Sequence, residues 1–211
     1  MNEIKAVIFD MDGVIVESEY RNFLAKLEVL KPYNISFDYD YYSKFPGNSN
    51  LIVWEQIIKD FSIPQTAEYM HKIDLKKREE LILKEGHKQV KGAIELIKRL
   101  SKKYTLALAS GSPEKIIIDT VKSFDIEKYF KFIISGENIN RCKPAPDIFL
   151  ITAENLGFLP ENCAVIEDSH NGVLAAKRAG MYCIGFENNN SGEQDLTPAD
   201  IIIKSHFENP L

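Results

Sequence analysis

The sequence predicts an α/β fold: a parallel sheet covered by helices on both faces and interrupted early by an all-helical insertion. Three observations carry this expectation. Helical and strand patterns alternate from Gly92 onward, and strand signal is almost absent from Ser18 to about Glu85. The first strand, Ile4–Phe9, is an apolar run that stops at two carboxylates and a glycine, Asp10-Met11-Asp12-Gly13.

Each element has its own warrant. Ser18-Glu19 opens a helix with Phe23, Leu24, Leu27 and Leu30 at helical spacing, stopped at Pro32. Leu51–Phe61 repeats the pattern around Trp54, and Pro64 to Leu83 supplies a longer, heavily charged helix. Past Gly92 come a helix at Ile94–Leu100, an alternating strand at Tyr104–Ala109, and a helix at Pro113–Ser123 with Ser112 as N-cap and Pro113 in its first position. The series continues with a strand at Phe132–Ile134, a helix at Asp147–Leu156 closed by Gly157, a strand at Cys163–Ile166 and a helix to Gly180. Strands at Tyr182–Gly185 and Ile201–Ile203 finish it, and Asn188–Gly192 reads as an exposed loop.

Chemistry gathers at the strand ends. Asp10 and Asp12 close one strand and Ser110-Gly111-Ser112 a second; Lys143 stands ahead of Pro144-Ala145-Pro146, and Glu167-Asp168-Ser169 closes another strand. An acid pair alone is as easily a solvated strand cap as a cation site. Carboxylates that approach each other repel unless a cation lies between them, and glycine lets the backbone bend beside a bound ion. In this order the set suits phosphoryl transfer. Asp10 can attack phosphorus and form an acyl phosphate. A Mg²⁺ held by Asp10, Asp168 and Glu167 would neutralise the approaching anions. Ser110, with Gly111 beside it, and Lys143 would hold the phosphoryl oxygens, and Asp12 would serve as general acid and then general base.

Asp10-Met11-Asp12-Gly13-Val14, Ser110, Lys143 and Glu167-Asp168 resemble the four motifs of the haloacid dehalogenase superfamily, in its order. The flanks Cys142–Phe149 and Val165–Gly172 resemble its β-phosphoglucomutase and phosphatase branch. The resemblance implies a Rossmann-like sheet in residues 1–16 and 87–211 and makes the insertion, 17–86, a cap over the active site. It also implies that Asp12 meets the metal through its backbone carbonyl. In such caps a loop hangs over the site and reads the substrate, which points to Lys44 and Asn48. At the positions of Asn22 and Asn50 the β-phosphoglucomutases are expected to carry histidine and arginine, the latter gripping a second phosphate. With Asn50 there, a phosphatase acting on a small phosphorylated metabolite is the favoured expectation and a mutase the alternative. A haloacid dehalogenase needs neither metal nor Asp12, and a phosphoacceptor receiver domain has no helical insertion.

Composition sets further limits. In 211 residues, 26 basic and 31 acidic side chains leave a net charge of −5, which gives no support to nucleic-acid or anionic-membrane binding. No apolar run approaches the ~20 residues of a membrane span, and acids come too early for a signal peptide. A cytoplasmic protein, monomeric or weakly dimeric, is expected. Cys142, Cys163 and Cys183 lack metal-ligand spacing and read as reduced thiols, Cys163 and Cys183 in the core and Cys142 beside the site. Trp54 reads as packing, Lys76-Lys77-Arg78 as a solvated helix face, and His71, His87 and His206 as surface. His170 reads most simply as a solvated loop histidine, with substrate contact as the alternative.

Overall fold

The computed structural model describes residues 3–45, 47–192 and 194–211. Among the described residues six strands are formed: β1 (Ala6–Phe9), β2 (Thr105–Ser110), β3 (Phe130–Ser135), β4 (Cys163–Glu167), β5 (Tyr182–Phe186) and β6 (Ile201–Ile203). They pair in the order β3-β2-β1-β4-β5-β6, every ladder parallel. The chain builds outward from β1 to β3, then returns to lay β4 on the other side of β1. Strand order therefore reverses beside β1, and in such sheets a crevice opens at the carboxyl ends of the strands flanking the reversal.

Successive residues of β1 feed two different cores. Val7 and Phe9 pack with Leu96 and Ile97 of α5 (Ala93–Leu100) and Ile117 and Val121 of α6 (Glu114–Ser123). Ala6 and Ile8 pack with Phe149 and Ala153 of α7 (Asp147–Leu156) and with Val173 and Ala176 of α8 (His170–Arg178). Burial on both faces is why β1 reads as a continuous apolar run. The alternation in β2 has a different meaning from the usual one. Leu106, Ala107, Leu108 and Ala109 are all buried, so large residues alternate with small ones rather than inside with outside. Cys163 and Cys183 lie in this core as expected.

Between β1 and α5 come α1 (Glu19–Leu30), α2 (Tyr39–Tyr42), α3 (Asn50–Phe61) and α4 (Ala67–Glu85). They share a core of their own in which Val29, Leu30, Val53, Trp54, Ile57 and Met70 meet. The two connections to this block run side by side: Glu17 N–H donates to Lys88 O at 2.8 Å, and Val90 N–H to Ile15 O at 2.9 Å. Helix α4 starts at Ala67 rather than Pro64 because Thr66 Oγ1 accepts from Tyr69 N–H and sets the cap there. The single turn α2, too short to show a period, is set by Asp38 accepting from Tyr41 N–H at 2.9 Å.

His206, expected at the surface, is buried. It stacks on Phe186 with ring centroids 4.0 Å apart, and its Nε2 donates to Val14 O at 2.8 Å. Burial lowers its pKa.

Candidate active site

The carboxyl edge of the sheet collects the acidic motif residues. Asp10 follows β1 directly, its N–H donating to Ile166 O at 3.0 Å across to β4. Glu167 is the last residue of β4 and Asp168 the next. One oxygen from each of Asp10, Glu167 and Asp168 lies within 4.8 Å of the others, and all three residues are buried. Lys143 reaches in from the connection after β3, with Nζ 2.6 Å from Asp10 Oδ1 and 2.5 Å from Glu167 Oε1. Its ammonium also stands 5.0 Å from the centre of the Phe149 ring.

Two glycines make room for this packing. Gly13 has φ +75°, and a Cβ there would fall 1.8 Å from Asp168 Oδ2. At Gly172, in the first turn of α8, a Cβ would fall 1.9 Å from the Glu167 carboxyl. Ser169 caps that helix, donates its Oγ–H to Glu167 Oε2 at 2.9 Å and accepts from Gly172 N–H. Ser191 is a further support that the sequence pattern did not single out. It belongs to the segment expected to be an exposed loop, yet it is 2 % exposed and donates to Asp168 Oδ2 at 2.5 Å.

Three buried carboxylates face one ammonium, and the electrostatics follow. Burial pushes the Asp10 carboxyl up to about 8, with Glu167 and Asp12 adding to the rise and Lys143 opposing it. Burial, then Glu167 and Asp10, lifts Asp168 well above the carboxylate range. For Lys143, desolvation favours proton loss, but Asp10 and then Glu167 outweigh it and raise its pKa. A cluster so rich in uncompensated carboxylate, built only of oxygen donors, has the chemistry of a site for a hard divalent cation.

Asp12 is oriented differently. Its Oδ2 accepts from Ser112 Oγ at 2.7 Å and from Ser110 Oγ at 3.2 Å, so its carboxylate faces the hydroxyls at the end of β2. This corrects the expected capping role of Ser112: Pro113 occupies the N-cap of α6, and no side chain caps the helix there. Ser110 is fully buried and also accepts from Ser112 N–H at 3.0 Å, and the adjoining cavity wall is Gly111, Ser112 and Pro113.

A cavity of about 480 Å³ runs from Asp10, Asp12, Lys143 and Asp168 up to the helical insertion, within the range typical of small-molecule sites. Asn22, Asn48 and Cys142 are part of its wall. Lys44 stands elsewhere, exposed, with Nζ 5.8 Å from the Tyr41 ring centre; Pro46 of the same loop lies outside the described residues. His170 turns its Nδ1 to Asp195 O at 2.8 Å, and its N–H donates to Gln194 Oε1. Arg78 corrects the reading of its basic run. Lys76 is exposed and Lys77 pairs with Glu80 at 2.7 Å, but Arg78 turns inward to the cavity with His71, which had also been expected at the surface. Lys26 of α1 joins them there, almost fully buried. Polar residues at helical spacing were the available signal: Glu19, Asn22 and Lys26 on α1, and His71 and Arg78 on α4.

Fold and site together define an α/β protein with an acid–lysine centre at the topological switch of its sheet, under a helical insertion. The chain belongs to the haloacid dehalogenase-like hydrolases, whose family model matches residues 7–186. It is thus an enzyme of that family. It is 36 % identical over 84 % of its length to a phosphorylated carbohydrates phosphatase of Thermotoga maritima, covering 82 % of that protein. A beta-phosphoglucomutase of Bacillus subtilis is 28 % identical over 95 % of the chain and 89 % of its own length. Among solved structures, a beta-phosphoglucomutase from Clostridium difficile superposes with a TM-score of 0.81 at 25 % identity, over 96 % of this chain and 92 % of that one. Among the described residues no helix is long and apolar enough to cross a membrane.

Proposed function

We propose that the protein is a Mg²⁺-dependent phosphatase that hydrolyses a small phosphorylated metabolite, of the sugar phosphate or phosphoglycolate type, through phosphorylation of Asp10. The cluster of Asp10, Glu167, Asp168 and Lys143 at the floor of a single cavity carries this reading. Residues 1–16 and 87–211 form the catalytic core and 17–86 the cap. Asp10, Glu167 and Asp168 would hold the ion with the Asp12 carbonyl, and its charge would screen the carboxylate from the incoming phosphate. Asp10 attacks phosphorus; the leaving oxygen takes its proton from Asp12, which then accepts a proton from the water that cleaves the acyl phosphate. Lys143, the Gly111 backbone and the hydroxyls of Ser110 and Ser112 steady the phosphoryl oxygens. Asn22 and Asn48, in the cavity wall, contact the rest of the substrate.

Hydrolysis of p-nitrophenyl phosphate, with and without Mg²⁺, tests the reading. Turnover should require the ion, stop with chelator and resume on adding it back. Turnover indifferent to chelation, or none at all, rejects it. A mutase is a second reading, favoured by two cations of the cap that line the cavity, the buried Lys26 and the half-buried Arg78, which offset the asparagine at position 50. β-Glucose 1-phosphate with a trace of the 1,6-bisphosphate separates the two: faster appearance of glucose 6-phosphate than of free phosphate identifies the mutase.

A further inference from the structure

The turn that carries Asp12 is held from outside by two side chains that the phosphoryl chemistry does not use. Within the turn, Ile15 N–H and Val16 N–H both donate to Met11 O, at 2.8 and 3.0 Å, and Gly13 N–H donates to Val16 O at 2.9 Å. The carbonyls of Gly13 and Val14 are taken instead by residues 175 and 192 positions further along the chain. Asn188 Nδ2 donates to Gly13 O at 2.7 Å, and His206 Nε2 donates to Val14 O at 2.8 Å. Both residues lie beyond position 186, where the match to the family model ends.

Neither donor is loose. Asn190 N–H donates to Asn188 Oδ1 at 2.9 Å, which turns the amide nitrogen of Asn188 toward Gly13. Arg99 of α5 pins the backbone around His206, its Nη2 donating to His206 O at 3.2 Å and to Glu208 O at 2.5 Å. Glu208 Oε1 in turn accepts from Lys204 N–H and Ser205 N–H, at 2.8 and 2.9 Å. Burial lowers the His206 pKa, so the ring holds a single proton, and a carbonyl acceptor places that proton on Nε2. Nδ1 is then left bare; it is buried and has no hydrogen-bond partner among the described residues. An unpaired buried nitrogen costs stability, and a phenyl ring would stack on Phe186 without that cost. What the imidazole adds is the bond to Val14 O.

We propose that His206 and Asn188 are positioning residues that hold the turn so that the Asp12 carboxyl stands where the leaving oxygen takes its proton. The Asp12 side chain is fixed at the hydroxyls of Ser110 and Ser112, and its backbone runs directly into the two carbonyls held by Asn188 and His206. Displacing a catalytic group by ~1 Å costs on the order of 10²-fold in rate, so a turn released at these carbonyls would impair the acid without unfolding the chain. The inference rests on the phosphatase reading and on Asp12 as its acid.

Phenyl phosphate and p-nitrophenyl phosphate test it. They are close in shape, but phenolate is much the poorer leaving group and depends more on a proton from the enzyme. His206→Phe keeps a ring against Phe186 and removes the donor; Asn188→Ala removes the other donor from a half-buried loop position. With Mg²⁺, kcat/KM in each variant should fall about tenfold further on phenyl phosphate than on p-nitrophenyl phosphate. Asp12→Asn should show the same discrimination at larger size. A loss of folded protein lowers both rates in one proportion. Equal losses on the two esters, or none, therefore overturn the positioning role and leave the phosphatase standing. An Asp12→Asn enzyme without leaving-group discrimination shows the acid to be misassigned, and the proposal falls with it. Failure of the wild type to hydrolyse either ester overturns the phosphatase reading itself. Asn188→Ala decides the matter should His206→Phe not fold.

Discussion

Asp10 is held at the sheet edge between an ammonium and two further carboxyls. Lys143 bonds one of its oxygens, and Glu167 and Asp168 each bring an oxygen within 4.8 Å of an Asp10 oxygen. Asp10→Asn removes both the nucleophile and a negative ligand, so kcat on p-nitrophenyl phosphate should fall by about 10³-fold or more with the circular dichroism spectrum unchanged. Retention of a tenth of the activity would exclude Asp10 as the attacking group. Lys26 shows where sequence reading stopped. The apolar spacing of Phe23, Leu24, Leu27 and Leu30 carried no signal for Lys26, yet the helix buries both Asn22 and Lys26 on the face toward the cavity.

Strands and their tips were the legible elements, because a parallel sheet buried on both faces leaves an unbroken apolar signature and function sits where each run stops. Helix α4 was legible as a helix but not in its orientation: its charged surface hides that Asp74 and Arg78 turn inward. The segment 188–192 misled for a related reason. Polar and glycine-rich, it has the composition of a free loop, yet Asn188 Nδ2 donates to Gly13 O at 2.7 Å and Ser191 holds Asp168. A turn and a distant loop thus clamp the strand-end acid between them. Gly13→Ala tests that clamp. The new methyl would meet Asp168 and Ser191 and would need a positive φ, so the variant should lose roughly 1–3 kcal/mol in urea unfolding and require about 10- to 100-fold more Mg²⁺ for half-maximal activity. Unchanged stability together with an unchanged Mg²⁺ requirement would show that the turn has no hold on Asp168.

At the scale of the whole molecule, the sheet and the helical insertion close over a cavity whose floor is more acidic than its bases can offset. Asp10, Glu167 and Asp168 are drawn from two separate strand ends, so the repulsion among them is a cost borne by the folded state alone. In the unfolded chain Asp10 lies more than 150 positions from the other two, and no site exists. A divalent ion binding only the folded form should therefore stabilise it by mass action: at a free concentration 100 times Kd, by about 2.7 kcal/mol. In a chain of this size that corresponds to a rise in Tm of roughly 5–10 °C. The sign is fixed by the charge balance, because Lys143 supplies one positive charge against three carboxyls. Thermal unfolding with increasing MgCl₂, referenced to matched ionic strength in NaCl, reads this without any substrate. Asp168→Asn should reduce the shift strongly, since it deletes a ligand while keeping the shape that Ser191 and Gly13 enclose. A Tm that responds to MgCl₂ no more than to NaCl would mean that the floor is neutralised by protons on its buried carboxyls rather than by a metal, and the metal-dependent mechanism would fall with it.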